Sequence, residues 1–327
     1  MKVFLTGLTG YIGYQLGLKL AQQGIKVHGL VRDINSKRVP VHQNIRIFEG
    51  DICDYESVKK GVSGCQFTFH MAALTNLKCK DVKKYYCSNV TGTKNVMEAS
   101  LIEGVEKLVY TSTLSVYGRS INGVHITEDQ PRVGSFNNDY ELTKCISEEL
   151  VQDYVKKGLH CVVLNITRVF GPGLKTQFNG VNKVIEKLIN GKILIVPNRL
   201  NKRANYVFID DVVHAHINAA KYGRMGERYI IGGINADYQE LFDNIKKVSE
   251  KQTRIVSIDY NLMKFGIISI ELASKLIRNE PQINLKILES LFTDKPASSR
   301  KAINELKYNI TPLKRGLSKT IEHLKSS

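Results

Sequence analysis

The chain has 327 residues, enough for one large domain or two fused ones, and its 43% hydrophobic and 24% charged residues suit an ordinary globular protein. Its 47 lysines and arginines against 31 acids give a net charge of +16. The basic residues are spread along the sequence rather than massed in an arm or stripe, which speaks against nucleic-acid binding and for attraction of anionic cofactors.

The opening "MKVFLTG" breaks at once into glycines and lacks the apolar core of a signal peptide, so cytoplasmic residence is expected. Strand-like runs follow at 2–6, 26–31, 45–48, 66–70, 107–112 and 161–166, with helix-like stretches at 12–23, 82–103 and 140–157 between them. That alternation predicts an α/β protein with a doubly wound parallel sheet, helices on both faces and ligands beyond the strand C-termini. Past Pro172 the pattern loosens into a helix near 178–190, the strand "ILIV", a basic loop and then mostly helices. The expected division is a nucleotide-binding domain over 1–170, with 205–225 returning to it, and a smaller, mainly helical substrate lobe from 171–204 and 226–327. "GIISIELASKLI" (266–277) is too short to span a bilayer and reads as an amphipathic helix covering a pocket, with a membrane-surface anchor as the alternative, so no stable membrane insertion is expected. Six cysteines (53, 65, 79, 87, 145, 161) include no C-x-x-C pair, which excludes a zinc-like cluster and suits reduced thiols.

The first strand runs into "TGLTGYIG" and then a helix. Glycine permits the tight turn and the close approach of backbone amides to a pyrophosphate, and the helix N-terminus favours that anion. Gly7, Gly10, Tyr11, Ile12 and Gly13 are therefore expected at a dinucleotide cofactor. Tyrosine precedes lysine by four residues in three places: "YESVK" from Tyr55, "YELTK" from Tyr140 and "YNLMK" from Tyr260. On a helix this spacing puts both side chains on one face. A phenol beside an ammonium can protonate the alkoxide left by hydride reduction of a carbonyl.

T-G-x-x-G-x-x-G, "GDI" (50–52), "HMAA" (70–73), "TSTLSVYG" (111–118), "YELTK", "RVFGPG" (168–173) and "VFIDDVVHAH" (207–216) occur in one order. Together they resemble the extended short-chain dehydrogenase/reductase superfamily, the NAD-dependent epimerase/dehydratase family. The resemblance implies a Rossmann sheet and selects Tyr140 and Lys144 among the three pairs. It makes Thr113, four residues before Tyr117, the catalytic hydroxyl, with Thr111 and Ser112 as nearby rivals. Asp51 and Ile52 would flank the adenine, and Ala72 and Ala73 would lie along the cofactor. Lys144 would also hold the nicotinamide ribose. Asn89 is either a helix cap or a group near that ribose.

Relatives that prefer NAD carry an acid where this chain has Arg32. A guanidinium there, with Lys37 and Arg38 following, welcomes a 2′-phosphate, so NADP(H) is expected, with NAD as the alternative because Asp33 is one residue away. Sugar-nucleotide relatives read "R-D-F" where this chain has "ANYVFIDD" with Ala204 and Asn205, which looks more like the dihydroflavonol-reductase and 3β-hydroxysteroid-dehydrogenase group. Ile166 replaces the proline of the usual "N-P-T". The expected activity is NADP(H)-dependent reduction of a ketone or aldehyde of a small or mid-sized metabolite. The alternatives are a nucleotide-sugar epimerase or dehydratase, for which Arg199, Lys202 and Arg203 could grip a phosphate, and a cofactor-binding module without turnover. Relatives often dimerise through helices matching 89–103 and 140–157, so a homodimer is expected.

Overall fold

The structure, a computed structural model, describes residues 1–77, 79–132, 136–175, 179–277, 285, 288–289 and 292–326. Six short runs rich in β-branched and aromatic residues form β1 (Lys2–Thr6), β2 (Lys26–Val31), β3 (Ile45–Glu49), β4 (Phe67–His70), β5 (Lys107–Thr113) and β6 (Cys161–Ile166). β7 (Arg168–Phe170), β8 (Leu194–Pro197) and β9 (Arg203–Phe208) leave for a second lobe. β10 (Arg228–Ile231) then returns as an edge strand, from beyond the 205–225 segment expected to rejoin the sheet. The central sheet has seven strands in the order β10-β6-β5-β4-β1-β2-β3, and every pair is parallel. Strand order reverses between β1 and β4, which opens a crevice at their C-terminal ends.

Both faces of the sheet are apolar, as parallel strands buried on two sides require. On one side α1 (Tyr11–Gln22) sets Leu16 and Leu20 into the core around Val3 and Leu5. On the other, α2 (Tyr55–Val62), α3 (Val82–Tyr85), α4 (Gly92–Ile102) and α5 (Asp139–Lys156) follow in chain order, and Val58, Val96, Met97 and Val151 pack around Phe4 and Leu108. A stretch of wider helical turns, Tyr86–Thr91, joins α3 to α4.

The second lobe holds α6 (Gly180–Ile189), a three-stranded sheet of β7, β9 and β11 (Ile234–Asp237), and a two-stranded one of β8 and β12 (Ile255–Ile258). α7 (Ile209–Tyr222) crosses back onto the α1 face of the central sheet. α8 (Tyr238–Ser249), α9 (Tyr260–Ile277), α10 (Arg300–Leu306) and α11 (Leu313–Ser326) complete the described helices. Asp237 and Glu240 start α8 with a reciprocal capping box. The lobe's own core gathers Ile185, Leu188, Phe242, Ile245, Leu317 and Ile321.

The crossover after β3 brings Cys53 and Cys87, 34 residues apart in sequence, to a Cα–Cα distance of 6.1 Å, within the span of a disulfide. Cys65, Cys145 and Cys161 are free and buried, and Cys79 is free and half-buried.

Candidate active site

The glycine turn closes the C-terminal end of β1. Gly7 has φ of +76°, a left-handed conformation, and a Cβ there would lie 2.8 Å from the Ala72 nitrogen. A Cβ on Gly13 would meet the Gly7 carbonyl oxygen at 2.1 Å. The turn and the loop after β4 therefore touch backbone to backbone, which only glycine permits. Gly10 stands as the N-cap of α1 with no side-chain capping bond, so the first N–H groups of the helix, Tyr11 and Ile12 among them, are left for an anion to satisfy. Tyr11 enters only through its backbone, since its phenol donates to the Gly171 carbonyl at 2.7 Å.

Thr6 fastens β1 to the loop after β4. Its hydroxyl accepts from the N–H groups of Met71 and Ala72 at 3.2 and 3.1 Å and bonds the buried His70 ring at 2.7 Å. Asn89 proves to be no helix cap. It lies within the wide-turn segment, accepts from Leu74 N–H at 2.7 Å and donates to the Leu74 carbonyl and to Thr143 on α5. One buried amide thus ties the loop carrying Ala72 and Ala73 to the helix carrying Tyr140.

Asp51 and Ile52 sit beyond β3, beside the end of β2, where Gly50 N–H bonds the Val31 carbonyl. Asp51 accepts from Cys53 N–H at 2.9 Å, and Ile52 packs where a Cβ on Gly92 would collide with it. Arg32 and Lys37 are exposed beyond β2. Asp33 turns its carboxylate onto Asn35 N–H at 2.9 Å, closing a local turn.

Thr113, Tyr140 and Lys144 meet where β5 ends against the start of α5. Thr113 is the last residue of β5, and Asn138 caps α5 through Glu141 N–H, which fixes Tyr140 in the first turn. Burial pushes the Tyr140 phenol up to about 12, while Thr113, within hydrogen-bonding reach, works the other way. The expected lowering of the phenol by Lys144 is not seen. The lysine is 2% exposed and donates to the Thr111 carbonyl at 2.7 Å, with its ammonium 4.1 Å from the centre of the Tyr110 ring. Burial drives the lysine down to about 7, opposed by the carboxylate of Glu148.

Glu148 is a residue that sequence reasoning missed. It is 1% exposed and bonds Ser112, Asn165 at 2.7 Å, and Arg132. Its position one helical turn beyond Lys144 on the same face was a readable signal. The rival hydroxyls are occupied by the framework: Ser112 by Glu148, and Thr111 by His216 of α7 at 2.9 Å. The other two tyrosine–lysine pairs lie elsewhere. Tyr55 opens α2, and Tyr260 opens α9 under the Arg199 guanidinium, 3.7 Å from its ring centre.

On the second lobe Asn205 is 1% exposed and spends its amide on Gly233 N–H, the Gly233 carbonyl and Asn235. Lys202 pairs with Asp294 at 2.8 Å, and Asp294 also accepts from Arg203 N–H. Two of the three cations expected to grip a substrate phosphate, Arg199 and Lys202, therefore already have protein partners. Ile166 pairs with Thr113 across β5 and β6 and is buried, filling the place of the usual proline. Among the described residues no group of acidic, histidine or cysteine side chains could hold a metal ion, and no helix is long and apolar enough to cross a membrane.

A family model described as the NAD dependent epimerase/dehydratase family matches residues 3–232, from the glycine turn through Tyr140 to the edge strand β10. The chain belongs to that family. Among curated members, it is 30% identical over 254 residues to a Synechocystis protein provisionally named dihydroflavonol 4-reductase, covering 75% of this chain and 72% of that one. It is 28% identical to a 3β-hydroxysteroid dehydrogenase/Δ5→4-isomerase of Mycobacterium tuberculosis over 68% of this chain, a match spanning 60% of that protein. Among solved members, the structure of gox2253 superposes with a TM-score of 0.84 at 26% identity over 99% of this chain and 98% of that one. The UDP-glucose 4-epimerase of Thermotoga maritima, solved with UDP-glucose, gives 0.82 at 22% identity over 100% of this chain and 99% of that one, a likeness of fold.

Proposed function

We propose that this family member is an NADP(H)-dependent reductase of a ketone or aldehyde in a small or mid-sized metabolite. The observation that carries the reading is the meeting of Thr113, Tyr140 and Lys144 at the crevice edge, with the phenol held in its protonated form near neutrality. The glycine cradle and the uncapped start of α1 fit a dinucleotide pyrophosphate, and Arg32 with Lys37 suits a 2′-phosphate. In this reading Asp51 and Ile52 would flank the adenine, and Ala72 and Ala73 would lie along the cofactor. When bound, the nicotinamide supplies the hydride. Thr113 and Tyr140 orient the substrate carbonyl oxygen. As its carbon takes the hydride, the oxygen gains the electron pair and withdraws the Tyr140 proton, giving an alcohol and a phenolate that water reprotonates. In the same reading Lys144, its ammonium anchored on the Thr111 carbonyl, holds the ribose.

Reduction is favoured over sugar epimerisation because Asn205 is committed to the backbone, and Arg199 and Lys202 to protein partners. The experiment is NADPH and NADH consumption over a carbonyl panel, beside a nucleotide-sugar panel. NADPH should give the lower KM, and Arg32→Glu should reverse that order. Tyr140→Phe should lower kcat by about 10²–10⁴-fold at unchanged cofactor affinity. Sugar turnover without net cofactor change would establish the epimerase instead.

We further propose that the enzyme is a cytoplasmic homodimer. On α5 Leu142 is exposed and Ile146, one turn on, is half-buried, while Leu150 packs against the core. Leu142→Glu with Ile146→Glu should halve the mass seen by light scattering, and a wild-type monomer removes the proposal.

A further inference from the structure

One buried ion pair reaches the helix that carries Tyr140 from far along the chain. The Lys295 ammonium lies 3.4 Å from the carboxylate of Glu141, 154 residues away in sequence. Lys295 is 6% exposed and Glu141 2%. Glu141 follows Tyr140 in the first turn of α5, and its carboxylate turns back on the residues before the helix. Its Oε2 accepts from the backbone and the side-chain amide of Asn137, each at 3.0 Å, while Oε1 takes Lys295. The Glu141 N–H donates in turn to the Asn138 side chain at 2.9 Å. Tyr140 therefore sits in a turn that a cap and a buried carboxylate close together.

Lys295 stands on an extended strap over 294–298. On one side the strap is stitched to the loop that leaves β5 beyond Thr113. Ser120 N–H donates to the Asp294 carbonyl at 2.9 Å, Ile126 N–H to the Pro296 carbonyl at 2.8 Å, and Ser298 N–H to the Ile126 carbonyl at 2.9 Å. On the other side it joins the second lobe. Lys295 N–H donates to the Arg203 carbonyl of β9 at 2.9 Å, and Ala297 N–H to the Asn235 side chain of β11 at 2.9 Å. The backbone is thus fixed on both sides of Lys295. Burial pushes the Lys295 amine below its ordinary range, and the Glu141 carboxylate opposes that shift. An exposed pair could be lost at little cost, but taking one partner from a buried pair strands the other's charge. A stranded Glu141 carboxylate must take up a proton or turn to solvent, and either change weakens its bonds to Asn137.

We propose that Lys295 is a positioning residue for Tyr140, acting through Glu141 and Asn137. The strap delivers Lys295 to α5 as the second lobe packs against the loop beyond Thr113. The turn that aims the phenol is then complete only with that lobe in place. This role rests on the reading of Tyr140 as the proton donor. A pair that merely joined the lobes would change stability and leave turnover alone. A pair that aims the phenol changes kcat, because a displacement of about 1 Å at a reacting group costs up to about 10²-fold.

The test combines steady-state kinetics, NADPH titration and amide hydrogen exchange on the full chain. Lys295→Met should lower kcat about 10–100-fold with NADPH affinity within about twofold, and should speed exchange over 137–142 about tenfold or more. Lys295→Arg keeps a cation for Glu141 and should hold kcat within about threefold of the wild type. Lys295→Gln, with a donor but no charge, should lower kcat about threefold to tenfold, and it serves if Lys295→Met does not fold. Lys295→Met with Glu141→Gln strands no charge and keeps an acceptor for Asn137, so it should recover at least about fivefold in kcat over Lys295→Met. Unchanged exchange over 137–142 in Lys295→Met and Lys295→Gln overturns the inference. So does faster exchange at unchanged kcat, which would leave the pair a joint between lobes. If the wild type turns over no carbonyl substrate, the reductase reading fails, and exchange over the same turn still decides whether Lys295 holds it.

Discussion

Lys144 holds a charge that burial opposes. Its ammonium is kept by the Thr111 carbonyl and the Tyr110 ring, and its pKa falls to about 7 under desolvation, with Glu148 resisting the fall. A lysine with so low a folded pKa is charged below about pH 7 and neutral above it. If the ammonium serves the Tyr140 phenolate, kcat/KM should therefore decline as pH rises through about 7, by about tenfold per unit, because that ratio reports the free enzyme. Glu148→Gln removes the group that raises this pKa, so the inflection should move to lower pH. A profile flat to about pH 9 in the wild type would separate Lys144 from the chemistry. Tyr140 and Lys144 were legible in the sequence because helical spacing fixes which side chains share a face. Glu148 continues that face, yet its burial depends on Ser112 and Asn165 arriving from β5 and β6, which spacing along one helix does not reveal.

At the scale of elements, the sheet was readable because each strand is a short, nearly continuous apolar run and each helix restores a longer period. β1, β2 and β6 lie at the predicted residues, and α5 begins one residue earlier than expected. The contacts that cross elements were not readable. Cys53 beside Cys87, and Asn89 with Thr143, are pairs that only the crossovers bring together. α9 is a second case: periodicity shows that a helix has an apolar face, but tertiary packing leaves Leu262, Phe265, Ile270 and Leu272 exposed. Asn89 makes the most exacting of these junctions, since it joins the loop after β4 to α5. Asn89→Ala leaves Leu74 N–H without its acceptor, a loss of about 1–3 kcal/mol for a buried donor. The loop carrying Ala72 and Ala73 should loosen, and NADPH affinity should fall about tenfold in a fluorescence titration. Turnover at saturating cofactor should stay within about threefold, because Thr113, Tyr140 and Lys144 keep their own supports. A variant with normal affinity would show that the loop holds its place without the clamp.

The molecule as a whole is held by helices clasped to both faces of one sheet, and two buried histidines make those clasps sensitive to acid. His70, at the end of β4, bonds Thr93 of α4 on one face, at 2.9 Å, and Thr6 of β1 at 2.7 Å. His216 bonds Thr111 of β5 from α7 on the other face, at 2.9 Å. Both rings are fully buried, and burial lowers His70 to about 3 and His216 to about 4. The unfolded chain takes up these protons near the ordinary histidine value of about 6.5, whereas the folded one refuses them until far lower pH. Stability is therefore unaffected above about pH 6.5 and is lost progressively as pH falls below it. Between about pH 6.5 and about pH 5 each histidine should remove roughly 2 kcal/mol, so the pair should remove roughly 4 kcal/mol. Urea unfolding at several pH values measures this directly, and His70→Gln with His216→Gln should flatten the acid limb even where it lowers stability at neutral pH. The two sites lie on opposite faces, so their effects should add, and the single variants should each remove about half of the slope. An acid limb unchanged in the double variant would assign the loss to the carboxylates instead, with Glu148 and its arginine partner the next group to test.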